Sequence, residues 1–272
     1  MSRFGFRTRN GAISNFIEGI VGSTIDVDAQ AFFDRVTAAG GTLSQTEKDA
    51  VNTLTVSLKS AGIWTLMKAI YPMVGSSAAA CAQNLKSSSY TGTFSSGWTF
   101  ASTGATPNGT SAYMDTTLTP SVSLSTNNTH LSFYSRTNNS ASSITDIGSH
   151  SSGTFYTLLE IFGSNFYALI NQTTVASNAM ATSLGHYVGS RTASNVIKSY
   201  RNGLVFGNNT TASTSPSTVS ITLGALNTGG SFLYYSNREY CFSTIGDSLS
   251  DTNTSDFYTA VQAFQTSLSR QV

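Results

Sequence analysis

The chain has 272 residues, 39% of them hydrophobic and only 10% charged, so it can hold a sizeable core but carries far fewer charges than the ~25% of ordinary soluble domains. A formal net charge of +1 leaves no basic field to hold nucleic acid, and the scarcity of acidic clusters argues against a cage for a hard metal ion. Solubility then rests on hydroxyls and amides, or on partner subunits that cover much of the surface.

Residues 1–27 read as an N-terminal arm. Arg3, Arg7 and Arg9 precede a mildly apolar run over 11–25, but Asn15 and Glu18 interrupt it and leave no apolar core of the ~7 to 15 residues that a secretory leader needs. No other stretch approaches the ~18 apolar residues of a membrane span, so no membrane insertion is expected. Triplets such as Asn108-Gly109-Thr110 and Asn171-Gln172-Thr173 match the N-glycosylation pattern, yet arise by chance in a chain this rich in Asn, Ser and Thr.

Residues 28–75 read as a helical segment of three elements. A helix over 28–39 places Phe32, Phe33 and Val36 on its apolar side and stops at Gly40 and Gly41. A second opens with the capping box Ser44-x-x-Glu47, carries Val51, Leu54 and Leu58, and ends at Gly62. A third, over 63–70, closes at Tyr71 and Pro72, because a residue before proline is pushed out of the helical region.

Beyond Gly75 the pattern changes to strands and turns. Candidate strands cover 98–102, 111–117, 130–137, 155–162, 166–171, 185–191, 196–201, 205–208, 218–226 and 239–245, separated by Gly, Asn, Ser and Thr. Short strands at such spacing suggest an antiparallel sandwich or barrel. The sharpest local feature is Asn202-Gly203, two residues tolerant of positive φ between Tyr200 and Val205, as a two-residue hairpin turn requires. Near the end, Val219, Ile221, Leu223 and Ala225 alternate with Ser220, Thr222, Gly224 and Leu226, and turn formers follow at 227–231. Ser250 or Asp251 then caps a terminal helix, 251–269, whose stripe is Phe257, Val261, Phe264 and Leu268.

Three segments, "KSYRNGLVF" (198–206), "ITLGALN" (221–227) and "REYCFSTIGDSLSDTNTSDFYTAVQAFQTSLSRQV" (238–272), together resemble the concanavalin A-like, laminin-G-type jelly roll. The resemblance spans about 98–272. With "TLSQTEKDAVNTLTVSLKSAGIWTLMKAIYPMVG" (42–75) included, the whole chain resembles a group of tailed-phage proteins thought to be virion components. The resemblance implies a mainly β protein: an antiparallel concanavalin A-like jelly-roll sandwich over 76–272, with a helical N-terminal part and a C-terminal helix.

Such a fold serves lectins, glycosidases, adhesion modules and capsid or tail parts, so function must be argued from a site. Glycoside hydrolysis needs two carboxyl groups about 5 to 10 Å apart. Sandwich glucanases of this fold carry theirs as Glu-x-Asp-x-x-Glu, and that motif is absent. The β region offers Asp115, Asp146, Glu160, Glu239, Asp247, Asp251 and Asp256, none paired two apart on an expected strand; Glu160, at a strand end, reads as a lone solvated carboxylate. His130, His150 and His186 accompany no Gly-x-Ser-x-Gly elbow, and His130 and His186 read as hydrogen-bonded structural residues. Cys81 and Cys241 have no metal-type spacing and read as free thiols or small buried hydrophobes in preference to a disulfide or a reactive site. Arg136 and Arg191 either tether strands to carbonyls or face a partner.

No catalytic, cofactor or metal site is therefore expected, and binding is the more plausible task. Sugars are recognised by aromatic faces together with amide and hydroxyl groups. Phe232, Tyr234 and Tyr235 are the candidates for that role, against the plainer reading that these rings pack over a sheet edge or the terminal helix. The leading expectation is a non-enzymatic virion structural protein, capsid- or tail-attached and assembled in the host cytoplasm. Its arm, through Arg3, Phe4, Phe6, Arg7 and Arg9, would contact other virion proteins, with a homo-oligomer expected. The alternative is a carbohydrate-binding, lectin-like or receptor-binding module for host surface glycans.

Overall fold

The computed structural model describes residues 24–140, 143–151, 155–173 and 177–272. Two helices come first, α1 (Val27–Ala38) and α2 (Gln45–Ser60), then a 3-10 turn (Trp64–Leu66), strand β1 (Met67–Tyr71) and a single helical turn α3 (Ala78–Cys81). Strands β2 (Thr93–Phe94), β3 (Trp98–Ala101), β4 (Gly104–Pro107) and β5 (Met114–Asp115) lead to a second helical turn α4 (Pro120–Ser123). The long strands follow: β6 (Thr129–Ser135), β7 (Ile144–Ser151), β8 (Phe155–Phe162), β9 (Asn165–Gln172), β10 (Ser177–Ala179), β11 (Gly185–Ala193), β12 (Val196–Arg201) and β13 (Leu204–Asn209). Short β14 (Thr222–Leu223), β15 (Leu226–Asn227) and β16 (Phe232–Leu233) precede β17 (Tyr240–Gly246) and the terminal helix α5 (Asp251–Ser267).

The strands form two sheets. Sheet A runs β13-β12-β11-β6-β17-β4-β3, with β1 added on β17; sheet B runs β10-β9-β8-β7-β14-β5-β2, with β15 beside β7 and β16 paired to β15. Pairing is antiparallel apart from the parallel bridge between Asn227 and Ser149. Alternation decides what lies between the sheets. Leu131 and Phe133 of β6 and Tyr187 of β11 face Leu159, Ile161 and Phe166 of sheet B in one core cluster. Phe133 and Tyr187 stack at 5.3 Å, with Phe166 5.1 Å from Tyr187. Burying each such side chain is worth about 1.5–3 kcal/mol, so this row of rings holds the sandwich closed.

A second core lies on the other side of sheet A. Tyr134, Val188, Tyr200 and Phe242 point outward there, against Phe32, Val36, Val51 and Leu54 of the N-terminal helices and Phe257, Val261 and Phe264 of α5. The helix ends agree with their sequences: Ser44 and Glu47 complete one capping box, Ser250 and Asn253 another. Arg270 then anchors the chain beyond α5, donating to the carbonyls of Met73 (2.8 Å), Pro72 (2.7 Å) and Cys241 (2.9 Å).

The mainly β antiparallel sandwich with helical preface and terminal helix is as expected from the sequence. The third helix expected over 63–70 is not formed. Only Trp64–Leu66 makes a helical turn, and Met67–Tyr71 is a strand on β17. The strand is apolar on both faces because it is buried between the two cores, Met67 and Ile70 toward the helices, Ala69 and Tyr71 toward sheet B. The strand expected over 111–117 shrinks to Met114–Asp115. That over 218–226 is broken at Gly224, whose φ of +84° turns the chain. At Asn202-Gly203 both residues take positive φ, 50° and 77°, and the hairpin forms as read.

Candidate functional site

The helices α1, α2 and α5 pack on sheet A, and the outer face of sheet B bears a separate small cluster of Leu158, Leu169 and Leu226 with Tyr156 and Tyr167 beside them. Strand register builds this face row by row. Thr145 of β7 lies opposite Glu160 of β8, and Glu160 opposite Tyr167 of β9; in the next row Gly148, Leu158 and Leu169 align; in the next His150 faces Tyr156. The glycine lets β7 and β8 lie this close. A Cβ at Gly148 would stand 2.2 Å from Leu158 Cβ.

These rows form a depression of about 180 Å³ lined by Ser143, Tyr156, Leu158, Glu160, Phe162, Leu169, Leu226 and Tyr234. Its floor is aliphatic and its rim aromatic. His150 and Tyr156 stack at 4.1 Å with planes 8° apart, and Phe162 and Tyr167 stack at 6.4 Å. Phe162 and Tyr234 are 43% and 47% exposed, so both rings are available to a ligand. Tyr234 is pinned by its carbonyl, which accepts from the Thr145 amide at 2.9 Å, and its φ of +53° is costly for a tyrosine. Backbone strain of about 1–3 kcal/mol persists only where the surroundings impose it, and it clusters at ligand sites.

Glu160 is the one acidic side chain of the lining. Its Oε2 accepts from the Thr145 hydroxyl at 3.1 Å, and its other oxygen has no hydrogen-bond partner among the described residues. Burial pushes this carboxyl above the usual carboxylate range; the Asp146 charge adds to the shift and the Thr145 hydrogen bond opposes it. Glu160 lies two residues from the end of β8, where the sequence placed it, but it is partly buried, not fully solvated as the sequence had suggested. Asp146 points the other way, into the sandwich, where Arg238 and the Tyr240 hydroxyl hold it.

The three candidate aromatics part company. Tyr234 lines the depression, whereas Phe232 lies on Tyr113 with centroids 3.7 Å apart, and Tyr235, partly buried, takes no part in the lining. Arg3, Phe4, Phe6, Arg7 and Arg9 lie outside the described residues. Tyr156, Phe162, Tyr167, Thr145 and Gly148 were missed in the sequence. The sign that could have revealed them is "FYTLLEIF" (155–162), a strand apolar on both phases, with Glu160 the single charge on one of them.

The remaining candidates are structural. His130 bonds through Nδ1 to the Asp247 carbonyl and through Nε2 to Thr244 Oγ1, whereas His186 has no hydrogen bond at either ring nitrogen, contrary to expectation; it lies among Tyr134, Phe242, Phe257 and Tyr258. Arg191 donates to the carbonyls of Ile170, Ala193, Ser194 and Thr211, and Arg136 bonds the Arg270 carbonyl and Glu239. Cys81 and Cys241 are buried and unpaired, both thiols pushed up to about 12 by burial. Among the described residues no three His, Cys, Asp or Glu side chains gather as a metal site, and no helix is long and apolar enough to cross a membrane.

The fold and its open face define a β-sandwich domain of the jelly-roll kind. No family model and no curated protein matches the chain. Among solved structures it is similar to domain 4 of AbnA, a GH43 extracellular arabinanase from Geobacillus stearothermophilus, in complex with arabinotriose. Identity is 12% and the TM-score 0.52, over 71% of this chain and 98% of that one. It is also similar to the botulinum neurotoxin serotype D binding domain (11%, TM-score 0.47, 73% and 52% covered). A third similar structure is the Ruminococcus gnavus IT-sialidase CBM40 bound to α2,3-sialyllactose (15%, TM-score 0.36, 46% and 77% covered). The arabinanase domain shares the sandwich fold with this chain; at 12% identity the likeness extends to fold alone.

Proposed function

We propose that the protein is a non-enzymatic carbohydrate-binding module whose sugar platform is the outer face of sheet B. The observation that carries this reading is the Glu160 carboxyl set among exposed rings over an apolar floor. Apolar sugar faces lie flat on aromatic rings, and sugar hydroxyls donate to carboxylates in charge-assisted bonds roughly twice as strong as neutral ones. A depression of about 180 Å³ falls below the ~300–1,000 Å³ of enclosed small-molecule pockets, which suits one ring of a chain lying across the sheet. The arabinanase domain, described in complex with arabinotriose, lends support as a sandwich of the same fold. A binding role is preferred to hydrolysis because hydrolysis needs a second carboxyl about 5–10 Å away, and Asp146, the acid next along the sheet, is committed to Arg238.

The test is a glycan array followed by titration calorimetry on the best ligand. Tyr234→Ala and Glu160→Gln should each weaken binding by roughly tenfold, about 1.4 kcal/mol, with the unfolding curve unmoved. A protein that binds no sugar, or variants that bind as the wild type does, would refute the assignment.

Display on a phage particle is the wider setting we propose, and it rests on the resemblance of the sequence. The placement of α1, α2 and α5 on sheet A favours it, since attachment from that side leaves sheet B facing outward. Deleting residues 1–25 should give a folded domain that no longer joins particles or other virion proteins; normal incorporation of the truncated protein would exclude the arm as the attachment.

A further inference from the structure

The charges around the depression say which sugars suit it. Glu160 supplies one negative group, and the lining contains no lysine or arginine. The cations of the surrounding elements are committed elsewhere. Arg238 is held by Asp146 inside the sandwich and Arg136 by Glu239, both at 2.8 Å, while Arg191 is taken up by buried carbonyls. On sheet A, Lys198 is paired with Asp251 at 2.6 Å, and Arg201 lies over Tyr187 and donates to the Leu184 carbonyl. None of these can swing to the outer face of sheet B without breaking its own pairing. His150, stacked on Tyr156 at the rim, has its pKa lowered by burial, so near neutral pH a ligand carboxylate or sulfate would meet Glu160 with no counter-charge among the described residues. At ~4 to 6 Å and an effective dielectric of about 20, that repulsion corresponds to a loss of roughly a hundredfold to a thousandfold.

Hydroxyl groups meet the opposite reception. Thr145 occupies one oxygen of Glu160 and leaves the other as an acceptor, and the neighbouring Ser143 and Tyr234 hydroxyls both donate and accept. The donors a neutral sugar presents are thus matched, and its carbon face has Tyr234 and Phe162 to lie on.

Resting on the carbohydrate-binding reading above, we infer that this site selects uncharged sugars and rejects those bearing a carboxylate or sulfate, with Glu160 as the discriminating residue. It is a specificity residue for which burial, register and the placement of cations all agree.

The experiment compares matched pairs on the wild-type protein: lactose with 3′-sialyllactose, and a neutral arabinan or galactan with polygalacturonate. Neutral members should bind at least tenfold more tightly. The isosteric Glu160→Gln variant should then narrow the neutral-to-acidic ratio by at least tenfold, an effect that a merely structural role for Glu160 would not produce. Equal or preferential binding of the acidic members would overturn this inference while leaving carbohydrate binding intact. So would an unchanged ratio in the Gln variant. Binding of no sugar at all would remove the carbohydrate reading itself, and this inference with it.

Discussion

Arg238 and Asp146 form an ion pair sealed from solvent, with Arg238 Nη1 2.8 and 2.9 Å from the two carboxylate oxygens and neither side chain exposed. The rest of the guanidinium reaches the carbonyls of Asn139 (2.9 and 2.6 Å) and Ile161 (3.1 Å). The pair ties the segment after β16, which carries Tyr234, to the β7 and β8 strands that carry Thr145 and Glu160. Geometry at the depression on the outer face is thus set from beneath the sheet.

Removing one partner leaves the other charge buried and alone. Asp146→Ala should cost about 3–5 kcal/mol in urea unfolding, whereas the apolar double replacement Asp146→Leu with Arg238→Met should cost less than the single change. A single-variant cost under about 1 kcal/mol would mean that the pair is not the clamp it looks to be.

Gly148 is the second point of leverage. An added Cβ would stand 2.2 Å from Leu158 Cβ, 2.6 Å from Leu158 Cα and 2.9 Å from the Thr157 carbonyl oxygen, so backbone as well as side chain must move. Overpacking of this kind costs about 1–3 kcal/mol, and Gly148→Ala should lose that much stability. It should also weaken sugar binding, because Leu158 is part of the floor. A stable variant with unaltered binding would place the ligand elsewhere.

Acid sensitivity should come from two histidines under α5. Burial pulls His130 down to about 4 and His186 to about 3, from an ordinary value of 6.5. Both are neutral in the folded state, so their contribution is fully present above pH 6.5 and is lost as pH falls from there toward 4 and 3. At pH 5 each would cost about 2 kcal/mol of stability, since the unfolded chain binds the proton and the folded one does not. Replacing His186, whose two ring nitrogens have no hydrogen bond, by Phe should abolish its share of that pH dependence. Denaturation midpoints at pH 7.5 and pH 5 should lie closer together for His186→Phe than for the wild type; an equal gap in the two proteins would assign the acid sensitivity to other groups.

Much of this architecture was legible because local chemistry and tertiary context agree. Ser44-x-x-Glu47 and Ser250 cap real helices, Asn202-Gly203 turns a real hairpin, and 155–162 and 196–201 are strands with the ends that the sequence suggested. Illegible parts depend on distant neighbours. Strand β1 lacks a period of two because both its faces are buried, so it read as a helix. Strand β7 is hidden in the sequence because Asp146, Gly148 and Ser149 look like loop residues; Asp146 becomes tolerable inside a sheet only through Arg238, 92 positions later. Of the proposed binding face, Tyr234 and Glu160 are visible in the sequence as single residues, but their meeting depends on the Thr145–Tyr234 hydrogen bond, which no local pattern announces.

The helices packed on sheet A give the molecule a back and a front. If the shallow depression on the front binds one sugar ring, as proposed above, each copy would hold its ligand weakly. Copies fixed side by side through their backs would all turn their platforms the same way, so a repetitive polysaccharide could engage several at once. Linked sites of this kind gain ~10²–10⁴ in avidity without any new contact. On that basis the spacing between neighbouring copies, more than the affinity of any one of them, would set how firmly such an array grips.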